Sequence, residues 1–231
     1  MAFLRQLAKR TLTAVLPRDA VVTRGHSAGV ALTFDDGPHP EHTPRLLDVL
    51  AETGITATFF IVGECAQARR DILKRVADAG HEVGNHTWSH SEPRHTSTLQ
   101  MLDEVRRTRE LIEDVTGRNC CLFRPPKGEL TPRKILALLR EQQTVVLWNC
   151  DTKDYQLGPG SEQIVDWCLS YQPAPGDIVL MHDNHPHASV AVETLDRIRT
   201  GEFTDSRERY LFRTVSQMLH RDKQPVAAGR E

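Results

Sequence analysis

Asp35 and Asp36 stand side by side at the end of an apolar run, Ala31-Leu32-Thr33-Phe34, and are followed by Gly37-Pro38. Two adjacent carboxylates repel unless something divides their tasks, and a cation would do so. Further along, His86-Thr87-Trp88-Ser89-His90 offers two imidazoles at i and i+4 after a second strand-like run. One carboxylate with two imidazoles is a ligand set for a divalent metal. The other carboxylate would be left beside the ion, free to act as a general base.

Three more polar groups follow short apolar runs: Arg124-Pro125-Pro126-Lys127, Asp151-Thr152-Lys153-Asp154-Tyr155 and His182-Asp183. Short apolar runs alternating with longer amphipathic segments point to repeated βα units around a mainly parallel sheet or barrel. Strands are expected at Val30 to Phe34, Ala57 to Val62, His81 to Gly84, Cys121 to Phe123, Val145 to Trp148 and Ile178 to Met181, and a weak one at Tyr210 to Val215. Between them, Thr43-Pro44 reads as a cap and first-turn proline opening a helix over Arg45 to Glu52 that Gly54 ends. Further helices are expected at Ala66 to Ala79, Leu99 to Thr116, Thr131-Pro132 to Gln142, Ser161 to Tyr171 and Val190 to Arg199. In a parallel barrel the reactive groups gather at the C-terminal ends of the strands, so these distant motifs would meet in one pocket.

The 231 residues can bury one sizeable core, and apolar residues continue at steady density from Val21 to Leu219, so one domain is expected. A net charge of −2 with both signs interspersed argues against nucleic acid as a partner. Five scattered cysteines without a CxxC pair suit a reducing compartment, and the cytoplasm is the expected location. The basic segment at 1–25 reads as an uncleaved extension with a short helix, whose face Leu4, Leu7, Thr11, Ala14 and Val15 would rest on the domain in preference to a membrane surface. Residues 26–222 form the expected catalytic domain, and 223–231 a loose tail.

Taken together, Thr33-Phe34-Asp35-Asp36-Gly37, His86-Thr87-Trp88-Ser89-His90, Arg124-Pro125-Pro126, Asp151-Thr152-Lys153-Asp154-Tyr155 and Leu180-Met181-His182-Asp183 resemble, in order, the five motifs of the polysaccharide deacetylase family. The resemblance covers Val30 to Leu219 and implies a distorted (β/α)7 barrel of the α/β class. It places Asp36, His86 and His90 on a divalent metal, expected to be zinc, with cobalt or iron also compatible with these ligands. By the same resemblance Asp35 is the general base for the metal's water, and Arg124 pairs with Asp35 to aim it. Lys127 supplies a backbone N–H to the oxyanion. His182 protonates the leaving amine, oriented by Asp154, while Tyr155 and Leu180 wall the acetyl pocket. The family usually carries an aromatic residue where this chain has Lys127, which suggests an anionic group on the substrate or its carrier.

The activity so implied is removal of N-acetyl groups from N-acetylglucosamine units of an oligo- or polysaccharide. An O-acetyl esterase acting on a glycan such as xylan is a rival, and a catalytically silent carbohydrate-binding relative is another. An iron oxygenase would use the same ligand set but would not need a separate base, arginine and acid. His39, His42, His185 and His187 are read as loop or capping histidines, Trp88 as packing, and Trp148 as a core residue at a strand end.

Overall fold

The apolar runs form strands and the amphipathic segments between them form helices. The computed structural model describes residues 20–158, 162–201 and 211–219. In chain order the elements are β1 (Val21–Val22), β2 (Val30–Asp35), α1 (His42–Thr53), β3 (Thr58–Ile61), α2 (Gly63–Ala68), α3 (Arg70–Asp78), β4 (Glu82–Asn85), α4 (Thr98–Thr116) and β5 (Leu122–Phe123). After these come α5 (Pro132–Arg140), β6 (Thr144–Val146), β7 (Cys150–Asp151), α6 (Gln163–Ser170), β8 (Asp177–His182), α7 (His187–Arg199) and α8 (Val215–Leu219). The strands pair in parallel in the order β1-β6-β5-β4-β3-β2-β8-β7. This is the expected α/β architecture, a curled (β/α)7-type barrel left open between its edge strands β1 and β7, each of two residues.

Side chains alternate across the strands, as the period of two requires. On β2, Val30, Leu32 and Phe34 face outward into the core shared with the helices, together with Phe59 and Ile61 of β3 and Val179 and Met181 of β8. Ala31, Phe60, Leu122, Val146 and Ile178 face inward, and Val215 and Met218 of α8 close this interior from below. Full burial of one such Phe or Leu stabilises by roughly 1.5–3 kcal/mol, so the strands are pinned from both sides. The same alternation turns Thr33 and Asp35 inward, and the register places Asp35 of β2 directly beside His182 of β8.

Several expectations need correction. Thr43 does not cap α1: the N-cap is Glu41 without a side-chain bond, and the Thr43 hydroxyl instead donates to Asp183 Oδ2 at 2.6 Å. The helix expected over Ala66 to Ala79 is two helices, broken at Arg69 (φ −142°, ψ 54°), where neither glycine nor proline marks the break. The weak strand near Tyr210 shrinks to a single bridge between Phe212 and Val30, and α8 begins at Val215; Tyr210 itself lies outside the described residues. The fifth expected strand stops at Val146, so Trp148 sits half-buried beyond it. Two-residue β1 and β7 were too short to show a pattern, and β1 puts Val21 and Val22 of the expected extension into the sheet. The helix expected within 1–19, the tail at 223–231 and Ser161 lie outside the described residues.

Other boundaries hold. Ser97 opens α4 with a reciprocal capping box to Gln100, and Gly54 and Gly117 end α1 and α4 in left-handed conformation. Thr131 caps α5 ahead of Pro132 as expected. Among the described residues no helix is long and apolar enough to cross a membrane.

Candidate active site

Because all strands run the same way, their C-terminal ends deliver the polar motifs to one rim. Asp35 is buried, and its Oδ1 accepts a 2.8 Å hydrogen bond from Arg124 Nη1. The Arg124 side chain is 0% exposed, lying inside the barrel with its guanidinium 4.1 Å from the Phe60 ring centroid. It also donates to Thr33 Oγ1 at 2.7 Å and to the carbonyls of Val146 and Leu147 at 3.3 Å each. Burial pushes the guanidinium pKa down, against the attraction of Asp35. A buried charge is tolerated only when paired and hydrogen-bonded, and these contacts supply both conditions. Thr33, whose hydroxyl donates in turn to Val179 O at 2.6 Å, completes the clamp.

Asp36 takes the other direction. Its backbone is left-handed (φ 77°), as are Thr87 (φ 68°), His90 (φ 55°) and Lys127 (φ 57°), a concentration of uncommon geometry around one pocket. The following Gly37 is required here, because a Cβ would lie 2.1 Å from the Asp183 carboxylate. Asp36 Oδ1 lies 3.2 Å from His90 Nε2 and 3.5 Å from His86 Nε2. Burial would raise the Asp36 carboxyl, but the closeness of His86 and His90 outweighs it and holds the group well below the usual carboxylate range. His90 is raised by its contact with Asp36.

These three side chains fit a metal ion. Their ligand atoms lie within 4.8 Å of one another, and Asp36 Oδ1 is buried without a hydrogen-bond partner. His86 Nδ1 lies 2.8 Å from the carbonyl of Arg124, which fixes Nδ1 as the protonated nitrogen and leaves Nε2 with its lone pair towards the carboxylates. Glu104 of α4 holds the loop between the two histidines by accepting from the N–H groups of Trp88 and Ser89, each at 3.1 Å. Trp88 is buried under the Arg107 guanidinium and packs as expected. Asn184 donates to Asp36 Oδ2 at 3.1 Å.

Across the mouth, His182 Nδ1 lies 2.8 Å from Asp154 Oδ1, and the His182 N–H donates to Asp154 Oδ2 at 2.7 Å. Burial works against the charged imidazole, yet Asp154 outweighs it and pushes the His182 pKa up to about 9. Tyr155 is 51% exposed, its ring edge-on to His182 at 5.3 Å, while Leu180 is buried on the same strand as His182. The Lys127 side chain points away to an ion pair with Glu92, so this lysine contributes a strained turn beside Arg124.

The structure thus brings Asp35, Asp36, His86, His90, Arg124, Asp154 and His182 into one rim, with Lys127, Tyr155 and Leu180 around it. Sequence reasoning missed Thr33, which looked like an ordinary strand residue, and Asp183. Asp183 is fully buried beneath the aspartate turn, its backbone N–H donating to Asp35 O at 3.2 Å, and burial pushes its carboxyl up to about 7. His185, read as a loop residue, reaches within 3.5 Å of Asp154 Oδ2. His39 does act as a cap: its Nδ1 accepts from the N–H groups of Glu41 and His42, whose ring stacks on it.

The rim of this barrel thus carries an Asp-His-His group flanked by two charge pairs, Asp35 with Arg124 and Asp154 with His182. The chain belongs to the polysaccharide deacetylase family, whose sequence profile matches residues 24–146. It is similar to a peptidoglycan-N-acetylglucosamine deacetylase of Bacillus cereus, 34% identical over 174 residues that cover 75% of this chain and 62% of the relative. It is also 33% identical to the peptidoglycan-N-acetylmuramic acid deacetylase PdaC of Bacillus subtilis over 92% of this chain and 43% of PdaC. The solved PdaC structure matches with a TM-score of 0.73 over 83% of this chain and 90% of that one, at 32% identity. A chitooligosaccharide deacetylase of Sinorhizobium fredii is 36% identical over 70% of this chain and 75% of its own. The chain therefore spans about three-fifths and two-fifths of the lengths of the first two relatives.

Proposed function

We propose that this protein removes N-acetyl groups from N-acetylglucosamine units of an oligo- or polysaccharide, with a divalent metal, zinc by preference, held by Asp36, His86 and His90. The observation that carries the reading is the register pairing of Asp35 with His182: base and acid stand on neighbouring strands, each fixed by its own buried partner, Arg124 and Asp154. The relatives named as peptidoglycan and chitooligosaccharide deacetylases favour an amide over an ester. The five cysteines are free, which supports the proposal of a reducing compartment.

The mechanism follows from the contacts. When bound, the ion would supply Lewis-acid polarisation of the acetyl carbonyl and a more acidic water. Asp35 takes the proton of the attacking water, its Oδ1 held by Arg124 so that Oδ2 stays available. The backbone N–H of Lys127, in its left-handed turn beside Arg124, is the proposed donor to the developing oxyanion. His182 gives its proton to the departing amine while Asp154 stabilises the imidazolium. Tyr155 and Leu180 would flank the acetyl methyl.

The test is acetate release from N-acetylated chitooligosaccharides by protein stripped of metal and then resupplied with zinc or cobalt, with acetylated xylan in parallel. Release from the chitooligosaccharides that depends on added metal is the expected result. Release from xylan alone would favour the esterase, and binding without release would favour a silent relative.

A further inference from the structure

The rim carries a second group of one carboxylate and two imidazoles. Asp154, His182 and His185 offer ligand atoms that all lie within 4.8 Å of one another. Asp154 is completely buried, and its two oxygens face the two rings separately, Oδ1 towards His182 Nδ1 at 2.8 Å and Oδ2 towards His185 Nε2 at 3.5 Å. The His185 contact is too long and too poorly aimed for a hydrogen bond, and both of its ring nitrogens are buried without a partner. Buried polar atoms are nearly always satisfied, so these two nitrogens call for an occupant.

We propose that Asp154, His182 and His185 form a second divalent-cation site, of the zinc class, whose occupation shuts off the proton donor. Zinc bonds of about 2.0–2.2 Å at a tetrahedral angle place ligand atoms about 3.4 Å apart. With one ligand atom from each residue, the three lie within 4.8 Å of one another, so side-chain rotations that draw them inward reach that spacing. Two imidazole nitrogens and one carboxylate favour zinc, copper or nickel over magnesium or calcium, which prefer oxygen. The incoming cation bonds to the His182 Nδ1 lone pair and the proton held there leaves to solvent, so charge and atoms balance. The remaining N–H of a metal-bound neutral imidazole is a far weaker acid than imidazolium, and the leaving amine loses its donor. Nothing of this kind threatens the first group, where His86 Nδ1 is committed to a backbone carbonyl.

The effect on turnover rests on the reaction proposed above, whereas the binding itself does not. Zinc titration of the metal-stripped, unmodified protein against a chromophoric chelator is expected to give two equivalents, the second weaker. The His86→Ala/His90→Ala protein should keep one, His185→Gln should keep one, and the triple variant none. Acetate release should rise with the first equivalent and fall at least about tenfold with the second, and His185→Gln should raise the half-inhibiting zinc concentration by more than about tenfold. One equivalent in the unmodified protein together with none in the His86→Ala/His90→Ala protein would overturn the second site. Two equivalents without acetate release from any substrate would leave the site standing and remove the proposed reaction; release with one equivalent and no zinc inhibition would do the reverse.

Discussion

His86 and His182 rise from strand ends on the same rim, each near a carboxylate and a second histidine, yet their Nδ1 atoms meet different partners. For His86 the partner is the carbonyl of Arg124 at 2.8 Å, and for His182 it is the carboxylate of Asp154, also at 2.8 Å. A neutral carbonyl fixes a tautomer without adding charge, so the far nitrogen keeps its lone pair for an ion. A carboxylate stabilises the protonated ring, so the far nitrogen carries a proton to give. Residue composition is the same in the two groups, and the atom behind the ring separates the proposed ligand His86 from the proposed proton donor His182.

The largest expected effect tests whether the two sides cooperate on one carbonyl. Asp35→Asn keeps the shape of the base and should lower acetate release about a thousandfold while leaving zinc stoichiometry unchanged; near-normal turnover would dissolve the pairing of base and acid. Arg124→Met probes what the two sides share. It leaves the buried Asp35 without its cation, and a thermal or urea melt should register a loss of roughly 3–5 kcal/mol. Little change in the melt would mean that the clamp is not needed for folding.

Asp154→Asn sharpens the contrast from the acid side. In the proposed reaction His182 must be protonated to act, so activity should persist below about pH 9 and fall as the pH rises through that value. Without the carboxylate, the alkaline limb should move down towards or below the ordinary histidine value of about 6.5. A limb that stays near pH 9 in this variant would assign it to another group. The smallest effect is expected at Lys127→Ala. Its ion pair with Glu92 is exposed, so the melting temperature should not move, and because the proposed oxyanion donor is the backbone N–H, kcat should also hold. If KM for an anionic glycan rises in that variant and KM for a neutral one does not, the side chain reads substrate charge.

Much of this rim was legible because the chemistry sits at the ends of strong apolar strands. The runs ending at Asp35, Asn85 and His182 set both the parallel sheet and the inward direction of the motifs, and the run from Cys121 to Phe123 did the same for Arg124. What stayed hidden depends on contacts across the barrel. Thr33 gains its part only because Arg124, far along the chain, reaches down to it. Thr43 carries every local sign of a helix cap and is drawn away by Asp183, a tertiary partner stronger than the local one. His185 lies in an irregular segment without periodicity, so nothing in its neighbours announces Asp154. The break at Arg69 has no glycine or proline to mark it.

Arg124 touches the two sides with different parts of itself: its guanidinium holds Asp35, the proposed base, and its carbonyl holds His86, a proposed metal ligand. One residue thus fixes both neighbours, and a substitution that shifts its backbone would displace both. The alignment of the pair therefore hangs on a shared mount, anchored through side chain and backbone of a single residue.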